Sequence, residues 1–444
     1  MPGGEVRRNC LNMLDRRTDI SDQIKPTLAG EPPVLGLSRY SILSPFAVRS
    51  FRFQWPADLA TSWAFEMETI ILGWYVLVET GSVLWLTMFG ASQYLGTLVA
   101  PLFGVAGDRL GHRNVLFAMR LSYAALGAFL MAAAFAGAVT PLLVLIIATL
   151  AGIVRPSDIG VRAALIAETM PNERLIGAMS IARTTSDSAR VAGALAGAGV
   201  FALFGMGPAY VIISCFYVAG ALLTLGIAEP RRHVSLAMTP EDPQSSPWRD
   251  LKAGLSQVWN TPVLLAIVWL AFLVNFTAYP LTNGLMPYVV RDVFVLNQTW
   301  LGYMVASFAG GALIGSIVLS HAGANVPLGR MIIVATLLWY ALLLAFAQMP
   351  GPLSAIVCLL VAGFMQSFCM VPLSIMLLRA AGEKFRGRVM GVRMMAIYSL
   401  PLGLLAAGPL IDWFGFRATA SVYAIIGLAC TALIALRWRA QLWT

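Results

Sequence analysis

The chain has 444 residues, of which 59% are hydrophobic and 11% charged, with a net charge of +9. Soluble domains carry roughly 25% charged residues, and the apolar runs that recur here from Leu59 to Leu436 are long enough to cross a bilayer, which excludes a soluble enzyme. The positive charge does not imply a nucleic-acid partner, because the basic residues collect in segments expected on one membrane face.

Residues 1–44 carry Arg7, Arg8, Arg16, Arg17, Lys25 and Arg39 with no apolar stretch behind the early charges. They read as a flexible cytosolic tail and not as a signal peptide. Twelve spans follow, over about 58–80, 83–106, 115–137, 141–167, 176–200, 206–228, 262–288, 297–320, 327–348, 352–380, 390–412 and 416–436. Alternate links sort the basic residues. One face receives the tail, Arg109, Arg113, Arg174, Arg231, Arg232, Arg249, Lys252, Arg330, Lys384, Arg386, Arg388, Arg393, Arg437 and Arg439; the other receives Arg291 and Arg417. Both termini are therefore expected in the cytoplasm. The expected fold is an all-α membrane protein of twelve transmembrane helices, with six-helix halves at 45–228 and 262–444 around a cytosolic linker at 229–261. Such halves around a midplane site are the architecture of a transporter. Within the linker, Trp248, Leu251, Leu255, Val258 and Trp259 fall on one face of an expected surface helix.

Span one contains SWAFEMETIILGWYVLV, Ser62 to Val78, with Glu66 and Glu68 in an apolar run. Each carboxylate in hydrocarbon costs at least about 2.5 kcal/mol. Two positions on a helix are about 200° apart, so the pair cannot share a face. Glu66 aligns with Ser62, Thr69 and Gly73, a stripe suited to an interhelical contact; Glu68 aligns with Thr61 and Tyr75, a face suited to lining a cavity. Glu68 is the favoured residue for cargo or proton handling.

After span two comes GVAGDRLGHRNVL, Gly104 to Leu116. No strand precedes it and neither G-x-G-x-x-G nor Walker spacing is present, so it is not a phosphate loop. Asp108 can accept from the N–H groups at another helix's start, and Arg109 and Arg113 can hold carboxylates or lipid phosphates. Spans four and five place Arg155, Asp158 and Arg162 within two turns, then Arg183, Asp187 and Arg190. Asp187 can pair inside its own helix; Arg162 and Arg190 read as inner-end locks. Arg155 and Asp158 lie deeper, as cavity groups or as a pair between neighbouring helices. Span seven sets Asn275, Tyr279 and Asn283 four residues apart, on one α-helical face. Span ten offers Gln366 and Ser374 around Pro372. These polar groups are cargo ligands or interhelical hydrogen bonds. Gly193-x-x-x-Gly197 and Gly311-x-x-x-Gly315 are close-packing faces. The five cysteines lack paired spacing and the three histidines lie at cytosolic flanks, so no cofactor, metal site or catalytic apparatus is expected.

The Gly104–Leu116 segment resembles the loop signature of the major facilitator superfamily, G-x-L-A-D-R-x-G-R-R/K-x-x-L. Gly104, Asp108, Arg109, Gly111, Arg113 and Leu116 match it; Ala106, Gly107 and His112 depart. The stretches at Phe65–Ser82, Arg162–Pro171, Ser188–Gly197 and Phe385–Gly391 are similar to the proton-coupled branch of the enterobactin exporter and drug:proton antiporters. That branch often carries Gly-Pro in span five, where Gly193 here precedes Ala194. The resemblance implies that Asp108 meets the start of span eleven, Arg388 to Gly391, and gates the inner face. It implies a monomer in the bacterial inner membrane that exports an amphiphilic small-molecule substrate against protons, among membrane lipids. Proton coupling would draw on Glu68, Glu66, Asp158, Arg155 and Asp187, and the substrate cavity on Tyr75, Asn275, Tyr279, Asn283 and Gln366. The alternatives are metabolite uptake by symport and a receptor that has lost transport.

Overall fold

A computed structural model describes residues 44–228, 247–321 and 327–443, so the tail and most of the linker lie outside the described residues. The described residues are helical and contain no strand. Nine helices among them are long and apolar enough to cross a membrane. A protein of this kind must satisfy every backbone group within its own segments, which helices do.

The first helix, α1 (Arg49–Thr80), ends where Gly81 takes φ 61° and its N–H donates to Leu77 O, a left-handed cap that costs glycine nothing. At 32 residues it is long enough to cross, yet with Asp58, Glu66 and Glu68 it is too polar to count among the nine. The expected second span is interrupted. It consists of α2 (Val83–Ser92), a tight turn at Leu95–Leu98 and α3 (Ala100–Leu110). The break coincides with backbone contact: a Cβ on Gly96 would stand 2.0 Å from Ile153 O, and one on Gly152 2.2 Å from Ser92 O.

Four long helices follow: α4 (His112–Phe135), α5 (Pro141–Thr169), α6 (Asn172–Phe204) and α7 (Met206–Leu225). Thr140 caps α5 by accepting from the Leu143 N–H. Helix α8 (Pro247–Asn260) occupies the end of the linker. Its Val258 is buried, while Leu255 and Trp259 remain exposed, so only part of the expected apolar face is covered by protein.

Span seven starts as α9 (Pro262–Leu273) and then widens into π-helix at Val274–Ala278, Pro280–Gly284 and Val289–Val293. The chain continues through α10 (Gln298–His321), α11 (Leu328–Ala347), α12 (Pro352–Ile397), α13 (Ser399–Arg437) and the short α14 (Arg439–Leu442). Expected spans eleven and twelve run together within Val392–Arg437, with the helical path broken at Gly415, φ 78°.

Two apolar cores, one for each set of helices, fill the bundle, and the second extends onto Ile70, Trp74, Val83, Ala194 and Ala198 of the first helices. Around α1, α4 and α7 the core includes Met67, Ile71, Tyr123, Ile213 and Tyr217. Around α9 to α13 it includes Ile267, Leu343, Trp339, Leu373 and Leu404. The sets meet where α6 packs on α10 and α2 on α13. These contacts gather toward the end that carries the α1–α2 and α4–α5 links. Arg291 Nη1 donates to Leu77 O at 3.0 Å, Gly408 abuts Leu84 and Thr87, and Gly302 abuts Ala194 and Ala198.

Candidate functional site

The polar groups of α1 organise the interior of the first helix set. Glu68 is 8% exposed. Its Oε2 accepts from the Tyr217 hydroxyl at 2.7 Å and its Oε1 from the Tyr210 hydroxyl at 3.4 Å, both on α7. Phe65 stands edge-on to Tyr123 and Tyr217, with centroids 4.8 and 5.6 Å away. The Arg155 guanidinium lies 4.3 Å from the Phe65 ring centroid, a cation–π contact. Arg155 Nη1 also donates to Thr69 Oγ1 at 3.0 Å and to Gln93 Oε1 at 2.8 Å. Glu68, Thr69, Gln93, Gly152 and Arg155 line a small cleft between α1, α2 and α5. A carboxyl group and a guanidinium thus share one apolar-walled space.

Glu66 points elsewhere. Arg190 Nε stands 3.7 Å from Glu66 Oε1, with side chains 40% and 26% exposed. Both glutamates therefore make interhelical contacts. Glu68, expected on a cavity-lining face, is the more deeply buried, and Glu66, expected as a helix contact, is the more open. Tyr75 leaves the cavity altogether, since its hydroxyl donates to Val139 O at the α4–α5 link.

Further charges lie toward the opposite end of the first helix set. Asp58 of α1 and Arg120 of α4 form a fully buried ion pair, and Arg120 Nη1 also donates to Thr224 Oγ1 at 2.6 Å. Arg162 Nε approaches Asp158 Oδ2 at 2.9 Å within α5, while its Nη1 donates to Ser62 Oγ at 3.2 Å. The Asp158 contact is off the hydrogen-bond axis, so both its oxygens are buried without a donor. Asp158 consequently pairs inside its own helix. Asp187 does the same, 3.1 Å from Arg183 Nε, as the four-residue spacing implies. Asp58, Arg120, Tyr210, Tyr217 and Gln93 are not among the residues expected from the sequence. Asp58 and Arg120 carried a usable signal, as ionisable residues within apolar runs; the tyrosines and Gln93 had none, because their partners are remote in sequence.

In the second helix set Tyr279 accepts from Gln366 Nε2 at 2.7 Å, so these two expected cavity residues do meet. Asn275 instead donates to Ala271 O in its own helix, and Asn283 is exposed. The segment is π-helix over Val274–Ala278 and Pro280–Gly284, and of the three residues only Tyr279 meets Gln366. Gln366 Nε2 is held by Tyr279, and Ser374 bonds Met370 O within its helix.

The loop segment joins α3 to α4. Gly111 takes φ 89° between them, Arg113 Nη2 donates to Leu225 O at 2.7 Å, and His112 Nδ1 stands 2.7 Å from Glu168 Oε1. Arg109 is exposed. The side chains of Asp108 and Arg388, together with the surroundings of Gly104 and Gly391, lie outside the described residues, so the expected Asp108 contact is not among them. The described groups of His, Cys, Asp and Glu include no cluster able to hold a metal ion.

The family model of the Major Facilitator Superfamily matches residues 55–401 and 268–441. The chain belongs to that superfamily. Its nine long apolar helices, counted among the described residues, fit a multi-pass membrane protein of that superfamily. It is 31% identical over 187 residues to the multidrug efflux pump Tap of Mycobacterium tuberculosis, covering 41% of this chain and 43% of that protein. The Tap of Mycolicibacterium fortuitum is 31% identical over 174 residues, covering 37% and 40%. The chain thus spans less than half the length of the curated relatives it matches. The nucleoside transporter NupG shares the fold at a TM-score of 0.69 and 12% identity, over 87% of this chain and 99% of that one.

Proposed function

We propose that this transporter exports amphiphilic small molecules in exchange for protons, by rocking of its two helix sets about a central cavity. The reading places twelve crossings and both termini on the cytoplasmic side of a bacterial inner membrane, with the halves at 45–228 and 262–444. The observation that carries it is Glu68, hydrogen-bonded by Tyr210 and Tyr217, lining one cleft with Arg155. A carboxyl there exchanges a proton while its neighbours keep a hydrogen-bond partner, because phenols both donate and accept. The efflux direction draws on the partial likeness to Tap.

The cycle follows from alternating access. With the helix sets touching at the outer end, the cavity faces inward and cargo enters among Tyr279, Gln366 and the apolar walls. Outward opening exposes Glu68 to external protons, cargo leaves, and the proton is released after the return. Asp158, buried without a donor to either oxygen, is the second proton-handling candidate. Arg109 and Arg113, with Asp108, bias the inward-closed state without touching cargo. Asp108→Asn is expected to cut transport while substrate affinity holds; unchanged transport removes the gating role. For the coupling itself, cells lacking the protein are complemented with wild type, Glu68→Gln and Glu66→Gln and loaded with a panel of fluorescent amphiphiles. Wild type lowers accumulation, Glu68→Gln does not, and collapse of the proton gradient equals Glu68→Gln in effect.

A further inference from the structure

The final turn of the second helix set is clamped by contacts that leave its basic residues free. Helix α13 ends at Arg437, Trp438 departs from helical geometry, and the single turn of α14 buries Leu442. The Leu442 carbonyl lies against Gly329 at the start of α11, where a Cβ would stand 2.1 Å from the oxygen. Only glycine permits that approach. Arg330, the next residue, donates from Nε and Nη2 to Trp443 O at 2.9 and 2.6 Å, and its guanidinium stands 5.9 Å from the Trp443 ring centroid. The clamp fixes a groove of about 440 Å³ lined by Ala435, Leu436, Arg439, Ala440 and Trp443.

The walls of this groove are apolar and open. Leu436 is 70% exposed, and Leu433, one turn earlier, 63%. Its rim is positive: Arg439 lines it, and Arg437 and Arg330 beside it are exposed. Among the described residues neither Arg437 nor Arg439 makes an ion pair, and Arg437 lies 5.6 Å from the Trp438 ring centroid. No Asp or Glu occurs between Asp412 and Trp443, so nothing in this segment offsets the charge. Tryptophan and arginine at the end of a span are residues of the membrane interface, where a guanidinium fork matches a phosphate.

We propose that the groove binds an anionic phospholipid, whose phosphate is received by Arg439 and Arg437 and whose acyl chain lies along Leu436, Leu433 and Trp443. Charge complementarity selects the occupant, because basic pockets at span ends take anionic headgroups, whereas a zwitterionic lipid brings a cation of its own to the same arginines. A lipid seated there joins α13 and α14, and through the Arg330–Trp443 contact the start of α11, into one unit. The groove shares no residue with the cleft beside Glu68, so it stands or falls apart from the efflux reading.

The test titrates the full chain, in a neutral detergent, with dioleoyl phosphatidylglycerol or dioleoyl phosphatidylcholine and reads the first lipid adduct by native mass spectrometry. Wild type is expected to bind phosphatidylglycerol at least about tenfold more tightly. Arg439→Gln should weaken that adduct about fivefold, the weight of one basic residue at an anionic lipid surface, with phosphatidylcholine unchanged. Arg439→Lys should keep part of the preference. Ala440→Trp fills the groove while keeping every arginine, and should weaken the same adduct to a similar extent. Arg417→Gln, at an exposed arginine near the Gly415 break of α13, should alter neither lipid. Equal wild-type affinities for the two lipids overturn the site. A preference that survives both Arg439→Gln and Ala440→Trp does so too, as does one that Arg417→Gln lowers equally, since it then follows net charge. A doubled mass that Ala440→Trp abolishes assigns the groove to a second copy of the chain and also overturns the proposal.

Discussion

Single residues show how a membrane interior holds charge. Asp58 and Arg120 are both buried, and their pairing also engages Thr224. Removing one member leaves the other uncompensated, at a cost of about 3–5 kcal/mol. Arg120→Met or Asp58→Asn should therefore lower the melting temperature in detergent sharply, while Asp58→Leu with Arg120→Met recovers much of the loss. Equal melting of the single and double variants would refute this. At the end that carries the α1–α2 link, which the proposed cycle places outside, burial raises the Asp292 carboxyl above its ordinary value, opposed by Arg291 beside it. The closed outer end thus binds a proton more tightly than an opened, water-exposed one. Closure is favoured as pH falls through the raised value and weakened as pH rises above it. Labels at Ser82 and Trp413 should report a distance that grows with external pH, and Asp292→Asn should flatten the response. The pairing of Asp187 with Arg183 was legible because it is local in sequence. The partners of Glu68 were not, because α7 brings Tyr210 and Tyr217 from 142 and 149 residues away.

Among elements, helix–helix distance is set by glycine. A Cβ on Gly311 of α10 would stand 1.8 Å from Leu360 O, and one on Gly363 of α12 1.9 Å from Phe308 O. Gly310, one residue away, has nothing within 4 Å. Gly311→Leu should separate α10 from α12 and cost more than about 3 kcal/mol, beyond the usual range for overpacking, whereas Gly310→Leu should melt close to wild type. Similar melting for both would mean the two helices do not approach as described. The small-residue spacing at Gly311 and Gly315 disclosed this face in advance. Span seven was the opposite case. Its apolar length identified a helix, but nothing in the pattern announced the π turns at Val274–Ala278 and Pro280–Gly284, nor that Tyr279 meets Gln366 while Asn275 bonds within its own helix. The interruption of span two was equally hidden, since it depends on backbone contact between Gly96 and Ile153.

For the whole molecule, the loop signature and the apolar runs identified the superfamily, because both are local in sequence. The proton-handling group is different in kind, because Glu68 meets Tyr210 and Tyr217 only through the fold. The account therefore turns on whether proton flow through α1 drives cargo movement. The direct measurement is transport of a fluorescent amphiphile into inside-out proteoliposomes under an imposed pH gradient, with wild type and Glu68→Gln compared. Uptake should require the gradient, and Glu68→Gln should slow it at least about tenfold, a barrier change of about 1.4 kcal/mol, with cargo binding retained. Wild-type transport that proceeds at the same rate with the gradient collapsed would contradict the account.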